Sequence, residues 1–385
     1  MFRIVSIWWG LLAGILSLQL GNGLQSTLIG LGAVRSGFES AEISLVMSAF
    51  YAGYTIGPVL APALIHRAGH IRVFAALAAA AAAAIPFFPL AAEPWSWALL
   101  RFVIGFSLSG MYVAVEAWVN DKTENAERGR VFALYILSQL AGLCLGQFFV
   151  PLADPSSPLL FAIAAALVSA SVIPLALSKA PEASREAPEP MSLFALYRAS
   201  PLGFMGSFVA GVLWAAVMGG GPVFAARLGL SPSETAYFMA AGVAGGIVLQ
   251  FPLGWVSDHA DRRVVLTVTV IAAAIAAGWG ATQTDTGLFN LAVSIAAFGG
   301  LTFPIYSIAV SHTNDHLAPA KRVPASGGLV LIFGIGSIAG PVSVTMMMDA
   351  MGPPGFFVLL AIACAALSLF AVLRMAMRPQ PASIS

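Results

Sequence analysis

Of the 35 Asp, Glu, Lys and Arg residues in this 385-residue chain, only two, Arg101 and Glu116, fall inside its long apolar segments, and both fall in the same one. Twelve such segments lie between the charge clusters, at roughly 5–31, 43–65, 73–92, 95–119, 131–153, 157–178, 201–226, 235–256, 264–283, 288–311, 325–348 and 354–373. Each approaches or exceeds the roughly 20 residues that a helix needs to cross a hydrocarbon core about 30 Å thick. Few folds are open to such a chain, because in lipid every backbone polar group must be satisfied within the protein. Barrel strands would be about 10 residues of alternating polarity, and residues 74–92 show no alternation. The pattern therefore predicts an all-α membrane protein with twelve transmembrane helices. Composition agrees, at 9% charged and 59% hydrophobic, where a soluble domain carries about a quarter charged residues.

Arg3 followed by an apolar run fits the start of a secretory signal. The length of the segment and its interior Gln19, Asn22 and Gln25 predict a retained helix instead. Fifteen Lys and Arg flank the helices on the side of both termini, two (Arg35 and Arg227) lie on the other side, and Arg101 is within the membrane. Basic residues favour the cytoplasmic side, so both termini are expected in the cytoplasm of a bacterial cell, with the helices in its inner membrane. An even helix count agrees. The net charge of +1 gives no reason to expect nucleic acid as a partner. Cys144 and Cys364 sit within predicted helices and the five His at or beyond helix ends, so no disulfide frame or metal-ligand spacing is present. Gly219-Gly-Gly221 lacks the Lys-Ser/Thr of a nucleotide-binding loop. No cofactor is expected.

The longest polar stretch, 179–200, contains Pro181, Pro188 and Pro190 among mixed charges and reads as a linker between two halves, 1–178 and 201–385. The halves are related. An offset of 192 superposes Arg35 on Arg227, Gly37 on Gly229, Glu42 on Glu234 and Met47 on Met239. An offset of 194 superposes Tyr112 on Tyr306, Asn120-Asp121 on Asn314-Asp315, Arg128 on Arg322, Gly142 on Gly336 and Gly146 on Gly340. Chance matches of Ala and Gly are common in apolar sequence, whereas the Arg, Glu, Asn, Asp and Tyr matches are not. Two pseudo-symmetric six-helix bundles in parallel repeat are one known architecture of secondary transporters.

Gly254, Asp258, Arg262 and Arg263 match the Gly-x-x-x-Asp-plus-basic loop pattern of the major facilitator superfamily, which the chain resembles. It departs at Asp261, where Gly is usual. The first copy is looser: Arg67, Gly69 and Arg72 fit, while Pro62 and His66 replace the Gly and Asp. Arg101-Phe-Val-Ile-Gly105 resembles the superfamily's Arg-x-x-x-Gly pattern of helix four. Gly69-His-Ile-Arg72, Glu116-Ala-Trp-Val-Asn120, Arg128-Gly-Arg130 and Ser200-Pro-Leu-Gly203 resemble a bacterial branch typified by the transporter YcaD. The resemblance implies a rocking mechanism with helices one, four, seven and ten around a central cavity. Polar residues agree, being dense in segments one and four and absent from Val73–Ala92.

An arginine at mid-membrane costs about 2.5–3.5 kcal/mol by insertion scales, so Arg101 must face protein or a wet cavity. Its fork of donors suits a carboxylate, phosphate or sulfonate, or else ties helices together. Glu116 lies 15 residues further on, about 22 Å along the axis, so the two do not pair. Glu116 is expected near Arg67, Arg72, Arg128 or Arg130 as a gate or structural ion pair, or as a proton carrier. Asp258, Arg262 and Arg263 are the matching gate candidates of the second half. Gln19, Asn22 and Ser26 share one helix face by spacing and, with Gln25, Tyr112, Trp214 and Tyr306, are candidates for contacting a solute; helix-to-helix bonding is the competing role. Tyr51, Tyr54, Tyr135, Gln139 and Gln250 are further cavity candidates.

The function expected is secondary active transport of a small organic solute, anionic or amphipathic, by alternating access, with protons as a candidate coupling partner and the monomer as the working unit. The alternative from another class is a non-transporting receptor or scaffold that keeps the fold. An enzyme would need acid and base groups or metal ligands at one depth, which the sequence does not offer.

Overall fold

The structure, a computed structural model, describes residues 2–123, 125–177, 191–285 and 287–377. Among them, twelve helices are long and apolar enough to cross a membrane. Spans 1 to 6 are Ile7–Arg35, Ser40–Ala68, His70–Leu90, Pro94–Asn120, Gly129–Leu152 and Pro158–Ala176. Spans 7 to 12 are Pro201–Arg227, Pro232–His259, Arg262–Ala281, Leu288–Asp315, Pro324–Met351 and Gly355–Met377. These are the twelve segments expected from hydropathy, most of them extended by the polar and charged residues that start and stop the helices. Of the 179–200 linker, 179–190 lie outside the described residues. Leu193–Ala199 forms a short helix whose Leu196 is buried with Ala325 and Leu329 of span 11.

Helix starts show why these residues were retained in both repeats. Glu42 Oε2 accepts a hydrogen bond from the Glu39 backbone N–H at 2.8 Å, and Glu234 Oε2 accepts one from Ser231 N–H at 2.8 Å. Each satisfies a donor that the first turn leaves unpaired. The turn before each start is made by Gly37 (φ 73°) and Gly229 (φ 81°), in a region that residues with a Cβ avoid. The motif Gly142-x-x-x-Gly146 seats span 5 on span 1, where an added Cβ would press on the carbonyls of Leu16 and Leu20. Gly336-x-x-x-Gly340 seats span 11 on span 7 against the carbonyls of Phe208 and Val212 in the same register. Without a hydrophobic drive inside lipid, such close backbone approach is a main source of helix association.

Prolines set the irregular ends of spans 3 and 5 and the break in span 10. Spans 3 and 5 finish as tight turns over Ile85–Leu90 and Gln147–Leu152, which hold Pro86, Pro89 and Pro151. Span 10 is two helices, Leu288–Thr302 and Ile305–Asp315, broken at Pro304, which lacks an N–H and crowds the preceding turn.

By internal contacts the chain forms two compact units, residues 1–187 with 218–244, and residues 188–217 with 245–385. The end of span 7 and the start of span 8 thus belong to the first unit. Arg227 Nη2 donates to Ser40 Oγ at 2.8 Å, Cys144 Sγ lies 3.6 Å from the Ala240 carbonyl, and Tyr237 packs on Phe148 at 6.0 Å. Also in this unit, Arg35 pairs with Asp154 at 3.0 Å. Hydrogen bonds from Ser156, aided by Arg35, hold the Asp154 carboxyl below its usual range.

Candidate functional site

Span 4 carries both membrane charges into the first unit. Arg101 is 1% exposed. Its guanidinium stacks on Phe50 of span 2, 4.2 Å from the ring centroid, and it feels the Tyr51 phenol electrostatically. Cation–π contact contributes on the order of 0.5–2 kcal/mol, which offsets part of the cost of placing a charge here. Nε and Nη1 have no hydrogen-bond partner among the described residues. Buried donors are normally satisfied, and N–H donors of a guanidinium left without partners suit an anionic acceptor such as a carboxylate or phosphate oxygen.

A ladder of amides runs along span 1. Gln25 Nε2 donates to Asn22 Oδ1 and Asn22 Nδ2 to Gln19 Oε1, each at 3.1 Å, and Gln19 reaches the Tyr112 phenol of span 4. Gln25 Oε1 is buried with no hydrogen-bond partner among the described residues, where the ladder ends. The i, i+3 step brings Gln19, Asn22 and Gln25 together, while Ser26 stays outside the chain of bonds. A separate amide, Gln147, links helices: its Nε2 donates to Gly23 O at 3.1 Å and its Oε1 accepts from Thr27 Oγ1 at 2.6 Å.

Glu116, at the other end of span 4, is exposed. Its hydrogen-bond partner is Tyr135 of span 5, whose Oη donates to Glu116 Oε1 at 3.2 Å. Tyr54 of span 2 and Tyr112 pack edge to face with ring centres 6.2 Å apart. Arg67, Arg72 and Arg130 are exposed and make no described ion pair with it. The Arg128 side chain lies outside the described residues.

In the second unit, aromatics gather at the break in span 10. Trp214 of span 7 lies 4.8 Å from Phe303, and Tyr306 lies 5.1 Å from Phe333 of span 11.

A model of the Major Facilitator Superfamily matches residues 11–316 and 203–385 of the chain. The chain belongs to this superfamily. The "Uncharacterized MFS-type transporter YcaD" of Escherichia fergusonii is 27% identical over 353 residues, 91% of each chain. The protein of that name in Salmonella enteritidis is 25% identical over 355 residues, again 91% of each. Among solved structures, the nucleoside transporter NupG superposes with a TM-score of 0.76 at 18% identity, over 97% of this chain and 99% of that one. A bacterial homologue of the lysosomal transporter Spinster, inward-facing and unoccupied, gives 0.69 at 15% identity over 96% and 95%. At these identities the structures establish the fold alone, one of twelve membrane helices.

The superfamily loop motif of the second unit is a network. Arg262 Nη2 bonds Asp258 Oδ1 at 3.0 Å, its Nε bonds Asp315 Oδ2 at 2.8 Å, and Nη1 donates to Ser257 Oγ at 3.2 Å. It ties the ends of spans 8 and 10 to the start of span 9. Asp261, in the slot the superfamily gives to Gly, caps span 9: Oδ1 accepts from the Arg263 backbone N–H at 2.9 Å, and Oδ2 pairs with Arg263 Nη2 at 2.9 Å. That hydrogen-bonded arginine holds the Asp261 carboxyl below its usual range. Four partners escaped sequence reasoning: Phe50 beneath Arg101, Tyr135 on Glu116, and Asp315 and Ser257 on Arg262. The repeated Asn-Asp pair marked Asp315 as special, but nothing in spacing joined it to Arg262.

Proposed function

We propose that this transporter moves a small organic anion, or an amphipathic solute with an anionic group, by secondary active transport, with Arg101 receiving that group. The observation carrying the reading is the buried Arg101 guanidinium with Nε and Nη1 unpartnered. An ordinary structural arginine would have those donors bonded to carbonyls or amides. The amide ladder and Tyr112 supply neutral donors and acceptors for the rest of the solute. Trp214 and Tyr306 offer flat apolar faces in the second half. The two halves, 1–178 and 201–385, are proposed to rock about a midplane site, with Asp258, Arg262, Arg263, Arg67, Arg72 and Arg128 at the cytoplasmic gate. Both termini then lie in the cytoplasm and the helices in the bacterial inner membrane, the working unit is one chain, and a proton gradient is the driving force.

The test is a thermal-stability screen of purified protein against small carboxylates, sulfonates and phosphate esters. A ligand at about 100 times its Kd stabilises the folded state by about 2.7 kcal/mol. Compounds that raise the melting temperature of wild type should lose the effect in Arg101→Ala and keep part of it in Arg101→Lys. An undiminished shift in Arg101→Ala removes Arg101 from the site.

A further inference from the structure

We propose that the short helix Leu193–Ala199, which precedes span 7, is an interfacial anchor: it lays Phe194 and Tyr197 into the headgroup boundary of the bilayer and sets Arg198 on the phosphate of an anionic lipid. The anchor is independent of the Arg101 site. Ser192 Oγ accepts the Ala195 backbone N–H at 3.2 Å and starts the helix. So short a helix does not hold in isolation, and this one is held by docking. Leu196 is wholly buried with Ala325 and Leu329 of span 11. Gly328 clears the space, since an added Cβ would lie 2.8 Å from Leu196 Cδ2. Ser200, at φ −145° and ψ 80°, ends the helix, because a residue before proline is kept out of the helical region. The helix is therefore a separate element and not an extension of span 7.

With Leu193 and Leu196 turned to span 11, helical spacing puts Phe194 and Arg198, four residues apart, together on the opposite face. The Arg198 guanidinium lies 4.9 Å from the Phe194 ring centroid, and Phe194 is 67% exposed. Tyr197 flanks them, its ring 5.4 Å from Phe204 of span 7 and still 39% exposed. Depth decides what covers this face. Ala325 and Leu329 fall at the start of span 11, Pro324–Met351, about 2 and 8 Å along its axis. The exposed Lys321 and Arg322 precede that start. A helix docked there lies where the span meets water, at the level where interfacial helices bury an apolar face by about 5–10 Å. Rings with a polar tip, such as Tyr197, suit that boundary, whereas water would leave the Phe194 ring uncovered. Among the described residues no carboxylate pairs with Arg198. A basic side chain at this level is drawn to anionic lipid, and its fork of N–H donors fits a phosphate.

The test uses the full chain, with Cys144→Ala and Cys364→Ala, carrying a nitroxide at Phe194→Cys in vesicles of phosphatidylcholine with or without phosphatidylglycerol. Electron paramagnetic resonance reads collisions with oxygen, which concentrates in lipid, and with a neutral, water-soluble nickel chelate. Relative to the same label at Lys321→Cys, position 194 should gain oxygen collisions and lose nickel collisions, moving toward the lipid limit given by Val268→Cys on span 9, where Val268 is 60% exposed. Values equal to those at 321 place the face in water and overturn the anchor. Exclusion of both reagents places it beneath protein, whether the linker or a second copy, and also overturns it. A label at Tyr197→Cys, which leaves Phe194 and Arg198 in place, should report the same depth. Phosphatidylglycerol should lower nickel collisions at 197, a drop lost in Arg198→Gln and kept in Arg198→Lys. No drop, a drop that survives Arg198→Gln, or one that inorganic phosphate reproduces in phosphatidylcholine vesicles overturns the assignment of Arg198 to lipid.

Discussion

At the 194-residue offset that superposes the repeats, Arg101 corresponds to Ile295 and Glu116 to Val310. Ile295 is wholly buried, and Val310 packs with the Leu196, Ala325 and Leu329 cluster. The first repeat thus carries membrane charge where the second carries aliphatic core. At the loop after the second helix of each repeat the residues differ again. The second repeat joins Asp258, Arg262 and Asp315 in one network, while the first has His66 at the position of Asp258. Where backbones touch, however, the copies agree, with Gly142 on Leu16 and Gly336 on Phe208 in one register. The difference teaches that duplication preserved the contacts that hold helices together and let the two halves divide the chemistry.

The strongest way to break that comparison is to move the charge. Ile295→Arg places an arginine where nothing is built to receive it and should cost about 2.5–3.5 kcal/mol, seen as loss of a monodisperse folded species. Arg101→Ile removes a charge that is already poorly satisfied and should be tolerated or stabilising. If both substitutions destabilise alike, Arg101 is structural and the asymmetry is not functional. The shared frame is tested next: Gly142→Val and Gly336→Val should each cost about 1–3 kcal/mol by overpacking, with similar losses of melting temperature. A silent substitution at either site would show that the register matters in one repeat alone.

Hydropathy made the twelve spans legible because each had to satisfy its backbone within lipid, and the repeat was legible in part because Gly37, Glu42 and their copies do local work in turns and caps. Arg101 and Glu116 stood out for the same reason, as charges in the wrong solvent. Their partners did not. Phe50 lies on span 2 and Tyr135 lies 19 residues beyond Glu116 on another helix, so both contacts depend on how spans 2, 4 and 5 are rotated, which no spacing rule encodes. The arginines expected beside Glu116 were read from charge and proximity to the helix end; Arg67, Arg72 and Arg130 make no described ion pair with it, and the Arg128 side chain lies outside the described residues. The hydroxyl of Tyr135 is the partner described. Span 10's break follows from Pro304, yet the gathering of Trp214, Phe303 and Tyr306 there needs three helices in place.

A smaller effect sharpens the loop half of the comparison. Arg262→Ala removes two ion pairs whose acidic partners are largely exposed, and exposed pairs contribute about 0.2–1 kcal/mol each. Arg72→Ala, in the first repeat, should cost nothing measurable beside it. Equal losses would mean that the first loop holds a network of its own.

The finest distinction lies one position away, where Asp261 corresponds to Gly69 at the 192 offset. Both residues open a helix, but Asp261 has φ −61° and accepts the Arg263 N–H, while Gly69 has φ +86° and offers no side-chain cap. Asp261→Ala should therefore cost about 1 kcal/mol. Since Arg263 holds the folded carboxyl below its usual value, this contribution is fully present above the ordinary Asp value of about 3.9 and is lost as pH falls through the lower folded value. The gap in stability between wild type and Asp261→Ala should be constant from about pH 5 to 8 and close only in stronger acid. Gly69→Asp should not gain what Asp261→Ala loses, because an L residue at φ +86° is strained before its carboxylate can reach a backbone donor. If Gly69→Asp stabilised the protein, the first loop would be free to adopt the second loop's geometry, and the unlike loops would be an accident of sequence rather than of backbone.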